Sequence, residues 1–260
     1  MTNIKMPMIF IGHGSPMNAI ENNQFTDQWR KIGQSLPKPK AVLVLSAHWF
    51  TEGVRIQTDE NPKLIYDMYG FPKELYEIKY PAKGSPEIAK RTIKLAGQEI
   101  AEDNSWGIDH GAWSILVHLL PDADIPVYQM SINRRYQSVE HYELGKRIAG
   151  LREEGVLILA SGNVVHNLRE VDWENPGGTG WAEEFDSYIK ECVVSGDYRG
   201  AVNYRNHRYA HKAVPTSDHY DPLLYILGAA DQRDRISLFN EECVLGSLSM
   251  TCYQFEQEFS

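Results

Sequence analysis

Three histidines follow runs of apolar residues that are typical of buried strands. These runs and their histidines are residues 6–12 with His13, residues 41–46 with His48, and residues 156–161 with His166. Because open α/β sheets bind ligands at the carboxyl ends of their strands, we expect these three imidazoles to meet at one edge of a sheet. The chemistry of the chain is therefore expected to depend on a histidine cluster.

Two further histidines stand beside acidic residues at expected turns. His110 follows Asp109 just before an apolar helical stretch, and His219 stands between Asp218 and Tyr220 at a helix start. Neutral imidazoles that converge on one point form a metal site suited to zinc, iron, nickel or copper. Their spacing matches no short metalloprotease motif such as His-Glu-x-x-His, so the site has to be assembled from distant strands.

The other four histidines are assigned structural roles, because a lone histidine is more often structural than functional. His118 lies in an apolar helical pattern and is expected to be packed there. His141 lies on an amphipathic helix and is expected to be solvated, whereas His207 and His211 lie in a polar loop and are expected at the surface.

Nucleophilic hydrolysis is a competing hypothesis at the same strand ends. Ser15 or Ser46 could serve as a nucleophile with a neighbouring histidine as base. Neither serine lies in the Gly-x-Ser-x-Gly turn of serine hydrolases. The Gly12-x-Gly14 pair lacks the third glycine of a dinucleotide loop and the lysine of a phosphate-binding loop. The sequence thus favours a metal site over these two alternatives.

The elements that must position these residues alternate between strands and helices. We predict helices at 26–36, 85–100, 113–120, 138–152, 181–194 and 222–227, and strands at 6–12, 41–46, 54–58, 126–132, 156–161, 236–239 and 247–253. This alternation predicts an α/β fold with a mostly parallel central sheet and helices on both faces. Without an internal repeat or a low-complexity linker, residues 1–260 are expected to form a single catalytic domain.

Residues 60–84 break this alternation. The segment interleaves five aromatic residues with prolines and glycines, which predicts a long irregular loop. Its aromatic side chains could line a pocket for a flat substrate, or they could pack the loop onto the core. The sequence leaves both interpretations open.

Composition excludes several classes of protein. Of 260 residues, 42% are hydrophobic and 23% charged, which is typical of a globular protein, and no apolar run is long enough to span a membrane. The net charge of −9 argues against nucleic-acid binding. We expect no signal peptide. Three dispersed cysteines, Cys192, Cys243 and Cys252, favour a reducing cytoplasm over a disulfide framework.

Several motifs together resemble the DOPA-extradiol-dioxygenase branch of the class III (LigB-type) ring-cleaving dioxygenases, in particular its bacterial zinc-containing members. The resemblance covers nearly the whole chain. The motifs are residues 12–17 (GHGSPM), 46–49 (SAHW), 107–111 (GIDHG), 161–167 (SGNVVHN), 215–224 around His219, and 246–250 (GSLSM).

This resemblance implies a three-layer α/β/α fold with one divalent metal, Zn²⁺ or Fe²⁺, at the carboxyl edge of the sheet. It implies His13 and His48 as ligands, with His166 and His219 completing the site. His110 is implied as an acid/base or substrate-orienting residue. The wider class holds iron(II) with two histidines and a glutamate; here His219 stands near the place of that glutamate. In the wider class the residue that matches His166 is a catalytic base.

The implied function is a metal-dependent extradiol dioxygenase that opens the ring of a catechol such as L-DOPA with O₂. A catechol would chelate the metal through both oxygens, and a nearby histidine would move protons during ring opening. Two alternatives remain open: a zinc-dependent hydrolase, and a non-catalytic protein that binds a metal or small molecule on the same fold. The expected partners include no nucleic acid and no membrane.

Overall fold

The computed structural model describes residues 5–97 and 100–257, in which strands and helices alternate through most of the chain. The strands are β1 (Met8–Gly12), β2 (Ala41–Thr51), β3 (Arg55–Ile56), β4 (Ala101–Glu102), β5 (Val127–Asn133), β6 (Val156–Gly162), β7 (Arg235–Phe239), β8 (Cys243–Val244), β9 (Leu248–Ser249) and β10 (Cys252–Glu256). The helices are α1 (Gln24–Ser35), α2 (Pro86–Ala96), α3 (His110–Leu119), α4 (Ser138–Ile148), α5 (Gly180–Ser195), α6 (Tyr198–Val202), α7 (Ala210–Ala213) and α8 (Asp221–Ala229).

The main sheet has eight strands in the order β4-β3-β5-β2-β6-β1-β10-β7. Its centre is parallel, because β2 pairs with β5 and β6, and β6 pairs with β1, all in the same direction. The flanking pairs β3–β5, β1–β10 and β10–β7 are antiparallel, which makes the sheet mixed. The carboxyl ends of β1, β6 and β2 consequently lie side by side.

Alternating side chains bury the two faces of the sheet against two helical layers. On β1, Met8 and Phe10 pack into the layer that contains α2, α4, α5 and α8. Ile9 and Ile11 pack into the opposite layer, with α1 and α3. This period of two is the ordinary geometry of a strand buried on both sides. The predicted three-layer α/β/α architecture is confirmed.

Most predicted elements are present, with shifted ends. The predicted strand 41–46 continues to Thr51, and its pairing with β5 changes register between Leu45 and Phe50. The predicted helix 85–100 ends at Ala96 with Gly97 in a left-handed conformation. Residues 98 and 99 lie outside the described residues. Within the described ranges, no helix has the length and apolar character needed to cross a membrane.

The predictions for the four histidines outside the cluster are partly correct. His118 is packed as predicted, 2.7 Å from the carbonyl oxygen of Asn18, and His211 is exposed. The prediction that His141 is solvated is wrong: its ring is fully buried between α4 and α8, 3.3 Å from Asp221. His207 is half-buried, because its ring stacks on Tyr188.

A buried ion pair closes the amino end of the sheet. Arg152 donates two hydrogen bonds to Asp234, at 2.6 and 2.7 Å, and both side chains are fully buried. The same guanidinium donates to the carbonyl oxygens of Met6 and Ala229. It thereby joins the chain segments that precede β1 and β7 to the end of α8.

Removing this guanidinium is expected to destabilise the fold. An Arg152→Met variant leaves the Asp234 carboxylate buried without its partner, which costs about 3 to 5 kcal/mol. Urea unfolding followed by circular dichroism measures the change in the free energy of unfolding. The matched control is Arg233→Met, since the Arg233 side chain is 79% exposed; an equal loss of stability in both variants would contradict the role given to Arg152.

Candidate metal centre

Five histidines meet at the carboxyl edge of β1, β6 and β2. Their ring centroids are separated by 5.1 Å for His13–His48, 5.2 Å for His13–His219 and 5.2 Å for His48–His219. His110 lies 3.9 Å from His48, and His166 lies 3.5 Å from His219. The structure therefore brings together all five histidines that the sequence singled out.

Strands β1 and β2 deliver the first two rings by different means. His13 follows β1 directly, and its backbone N–H donates to the carbonyl oxygen of Gly162 on β6. His48 lies within β2, in the stretch where the pairing with β5 changes register. Irregularities of this kind re-aim side chains next to active sites. They explain how His48 can point into the site from inside a strand.

A close backbone approach fixes the position of His219. The backbone N–H of Asn163 donates to the carbonyl oxygen of His219 at 2.9 Å. A Cβ atom on Gly162 would lie 2.1 Å from that same oxygen, so this approach requires glycine. His166 lies almost parallel to His219, with an interplanar angle of 4°. Residues just after β6 thus determine where both of these rings stand.

Hydrogen-bond partners outside the cluster fix the orientation of His13 and His219. The hydroxyl of Ser161 donates to the carbonyl oxygen of Gly111, so its oxygen accepts from His13 Nδ1 at 2.9 Å. The Asp218 carboxylate accepts from His219 Nδ1 at 2.6 Å. Both rings therefore carry their proton on Nδ1 and leave the lone pair of Nε2 free, as metal-binding histidines do.

Asp67 contacts two histidines of the cluster, although no sequence motif singled it out. Its Oδ2 lies 3.1 Å from His48 Nδ1, and its Oδ1 lies 3.0 Å from His110 Nδ1. Oδ1 also accepts the backbone N–H of His110 at 2.9 Å. Asp67 comes from the irregular segment 60–84, where local sequence gave no signal beyond an acidic residue among aromatic ones.

Burial and charge set the protonation of these groups. Burial, followed by the neighbouring imidazoles, holds the pKa of His13 and of His166 well below the ordinary value. Burial lowers the pKa of His219 as well, against the opposing effect of Asp218. Burial also lowers the pKa of His48, but its contact with Asp67 and the nearby carboxylates outweigh this effect and raise it. The contacts with His110 and His48 outweigh burial and hold the pKa of Asp67 far below its usual range.

The spacing of three of the rings fits a single metal ion. The Nε2 atoms of His13 and His48 are 3.2 Å apart, and two nitrogens held about 2.1 Å from one metal lie about 3.0 to 3.4 Å apart. Ring centroids of two such ligands lie about 4.5 to 5.2 Å apart. The three separations within His13, His48 and His219 fall in this range, whereas the His48–His110 and His166–His219 separations fall below it.

A different measure groups His110 with the first two histidines. Among the described residues, one nitrogen each from His13, His48 and His110 lie within 4.8 Å of one another. The nitrogen positions therefore group His110 with His13 and His48, whereas the centroid spacing is compatible with His219 as the third ligand.

Neither serine of the hydrolytic alternative is available as a nucleophile. The Ser46 hydroxyl donates to the buried carboxylate of Asp109 at 2.7 Å. The Ser15 oxygen accepts the backbone N–H of Met17 and caps a short 3₁₀ helix. Neither hydroxyl is hydrogen-bonded to a histidine ring, so nothing in the described residues activates it.

Aromatic residues of segment 60–84 mostly pack the segment onto α3. Tyr66 lies against Trp113 and donates to the carbonyl oxygen of Ile78. Tyr80 is buried and donates to the carbonyl oxygen of Leu120. Tyr69 differs from these residues because its side chain is 92% exposed. The packing interpretation thus accounts for the buried aromatic residues of the segment.

Comparison with known proteins identifies the family. Residues 7–251 match the family described as the catalytic LigB subunit of aromatic ring-opening dioxygenase. The chain belongs to this family. It is 43% identical to a 4,5-DOPA dioxygenase extradiol of Escherichia coli K12, over 98% of this chain and 96% of that protein. It is 38% identical to a 4,5-DOPA dioxygenase extradiol of Beta vulgaris, over 95% of each chain.

A solved structure shares the fold of this LigB-family chain. The crystal structure of the uncharacterized protein JW3007 of Escherichia coli K12 superimposes with a TM-score of 0.84 at 41% identity, covering 96% of this chain and 99% of that one. Together with the family match, these relatives establish an oxidoreductase that opens aromatic rings in the extradiol manner and uses a divalent metal. The predicted family and enzyme class are confirmed.

Crowding His48 is expected to damage the centre without unfolding the protein. A Cβ atom on Gly111 would lie 2.6 Å from His48 Cδ2 and 2.9 Å from Ser46 Oγ. The Gly111→Ala variant should therefore shift the His48 ring and lower zinc affinity by about tenfold or more.

Competition with a chromogenic chelator measures this affinity, and far-UV circular dichroism monitors folding. Gly180→Ala is the matched control, because a Cβ atom there meets nothing within 4 Å at the start of α5. Equal zinc affinity in the two variants would show that the position of the His48 ring does not matter.

Proposed function

We propose that this LigB-family enzyme opens the ring of L-DOPA or a closely similar catechol at a metal held by His13, His48 and His219. The observation that carries the proposal is the triangle of ring centroids, 5.1 to 5.2 Å on each side, with two of its nitrogens 3.2 Å apart. The substrate is supported by the two relatives named 4,5-DOPA dioxygenase extradiol. When bound, the divalent metal would supply a Lewis acid that lowers the pKa of the catechol hydroxyls.

The remaining two histidines are proposed to handle protons. His166 stacks on His219 at a centroid distance of 3.5 Å, and His110 lies tilted against His48 at 3.9 Å. Both rings are thus adjacent to the triangle, where either can hold a proton at a catechol oxygen. The family resemblance implies His166 as a ligand. Its parallel stack on His219 supports a proton-accepting role instead, because two stacked rings are too close to bind one metal side by side. Three protein ligands also leave room for a bidentate catechol.

Iron is proposed as the metal of turnover, with zinc as a competing occupant of the same ligands. A site of neutral imidazoles accepts either ion, and the three ligands proposed here lack the carboxylate of the facial triad found in non-haem iron oxygenases. We also propose a reducing, cytoplasmic setting. The three cysteines Cys192, Cys243 and Cys252 are free and buried, which supports that setting.

The deciding experiment measures oxygen uptake on L-DOPA. The protein is stripped with a chelator and reloaded without air with iron(II), and a zinc-loaded sample serves as control. We expect uptake and a coloured ring-opened product with iron alone. Metal binding without uptake for either ion, together with turnover of an activated ester by the zinc form, would replace this proposal with the zinc-hydrolase alternative.

Single histidine variants separate ligands from proton carriers. Alanine at His13, His48 or His219 should abolish stoichiometric metal binding, because each removes one corner of the triangle. Alanine at His110 or His166 should keep the metal and reduce turnover by about 10²-fold or more. Elemental analysis and oxygen uptake measure the two properties on the same samples. A His48→Ala protein that retains metal at wild-type stoichiometry would contradict the assignment of His48 as a ligand.

A further inference from the structure

Asp67 reaches the histidine cluster from outside the sheet. It belongs to the irregular segment between β3 and α2, and its side chain is 15% exposed. One oxygen of its carboxylate faces His48 and the other faces His110. Ser161 and Asp218, by contrast, each contact a single ring of the cluster.

We propose that Asp67 is a positioning residue that fixes the tautomer of His48, so that the lone pair of Nε2 remains available to the metal. The proposal rests on the metal centre proposed above and adds to it a residue outside the coordinating set. It also gives the irregular segment a specific function, which is to deliver this carboxylate.

Chemistry at the two nitrogens of His48 makes this control necessary. A carboxylate accepts hydrogen bonds and donates none, so Oδ2 at 3.1 Å favours the proton on Nδ1. On the other side of the ring, Nε2 lies 3.2 Å from Nε2 of His13. Without the carboxylate, a neutral His48 can place its proton on Nε2 and donate it to His13. That hydrogen would occupy the space between the two nitrogens and block the metal.

The two oxygens of Asp67 have different partners, so the side-chain amide of an asparagine at this position can adopt only one favourable orientation. Oδ1 accepts the backbone N–H of His110 at 2.9 Å, and a backbone N–H can only donate a hydrogen bond. In an Asp67→Asn variant the amide oxygen is therefore expected at the Oδ1 position. The amide NH₂ then faces His48 Nδ1, which has to become an acceptor, and the proton of His48 moves to Nε2.

The test reads this tautomer directly in the metal-free protein. Long-range ¹H–¹⁵N correlation spectra of the histidine side chains distinguish the two neutral tautomers, and a His48→Asn spectrum assigns the His48 signals. Spectra are recorded at alkaline pH, where imidazoles are neutral. We expect the Nδ1–H tautomer of His48 in the wild-type protein and the Nε2–H tautomer in Asp67→Asn. An Asp67→Ala variant, which adds no donor, should show an increased Nε2–H population.

Zinc affinity supplies the second readout, by competition with a chelator. Loss of an outer partner of a metal-binding histidine reduces affinity by about 10- to 100-fold, and we expect a loss of this size in Asp67→Asn. Asp59→Asn is the matched control in the same segment. Asp59 accepts the backbone N–H of Asn61, a role that an asparagine side chain retains, so zinc affinity should not change.

The outcomes separate this proposal from the proposed function. A His48 ring that keeps its proton on Nδ1 in Asp67→Asn overturns the role of Asp67, and so does a switched tautomer with wild-type zinc affinity. A wild-type protein that binds zinc but opens no catechol would contradict the proposed function, while both readouts for Asp67 would remain valid.

Discussion

Two imidazole nitrogens that face each other at 3.2 Å impose the main constraint on this structure. His13 donates its Nδ1 proton to Ser161, and the contact with Asp67 directs that of His48 in the same way. The two Nε2 lone pairs then point at one another, which is electrostatically unfavourable unless a cation or a proton lies between them. The fold has to hold both rings in this arrangement through contacts made elsewhere, and much of the architecture around the sheet edge serves that purpose.

Rigid parallel strands and small residues together hold the His13 and His48 rings in this arrangement. Strand β6 lies between β1 and β2, so Ser161 on β6 is adjacent to the residues that precede both His13 and His48. Ser161 also accepts from His13 while it donates to Gly111 at the start of α3. Gly111 and Gly162 leave room where any side chain would strike His48 or the backbone of His219. Preorganisation of His13 and His219 thus comes from hydrogen bonds and close approaches between neighbouring elements.

The histidines could be predicted from the sequence because the residues that mark them are their immediate neighbours in the chain. A run of apolar residues followed by a histidine predicts both a buried strand and the edge where its side chain emerges, and this applies to His13 directly. His48 required more, because the irregularity in β2 depends on its register with β5, which no local pattern encodes. Asp67 was missed for the same reason: its partners are distant in sequence and its own segment is irregular. The error for His141 arose from its residue type, because the helical period places it on the buried face of α4 with Leu144 and Ile148. On that face α8 supplies Asp221 and Tyr225 as polar partners for the imidazole.

The five histidines differ in how firmly their protons are held, and this difference suggests a division of labour. Contacts outside the cluster hold the Nδ1 atoms of His13, His48 and His219, and a fixed tautomer suits a ligand that must always present the same lone pair. His166 stacks flat on His219, and among the described residues its ring makes no hydrogen bond. A proton carrier has to accept at one moment and release at another, so a ring without a fixed partner can exchange its proton at little cost. The unanchored ring of His166 fits the proton-accepting role proposed for it, whereas His110, the other proposed proton carrier, keeps a contact of 3.0 Å between its Nδ1 and Asp67 Oδ1.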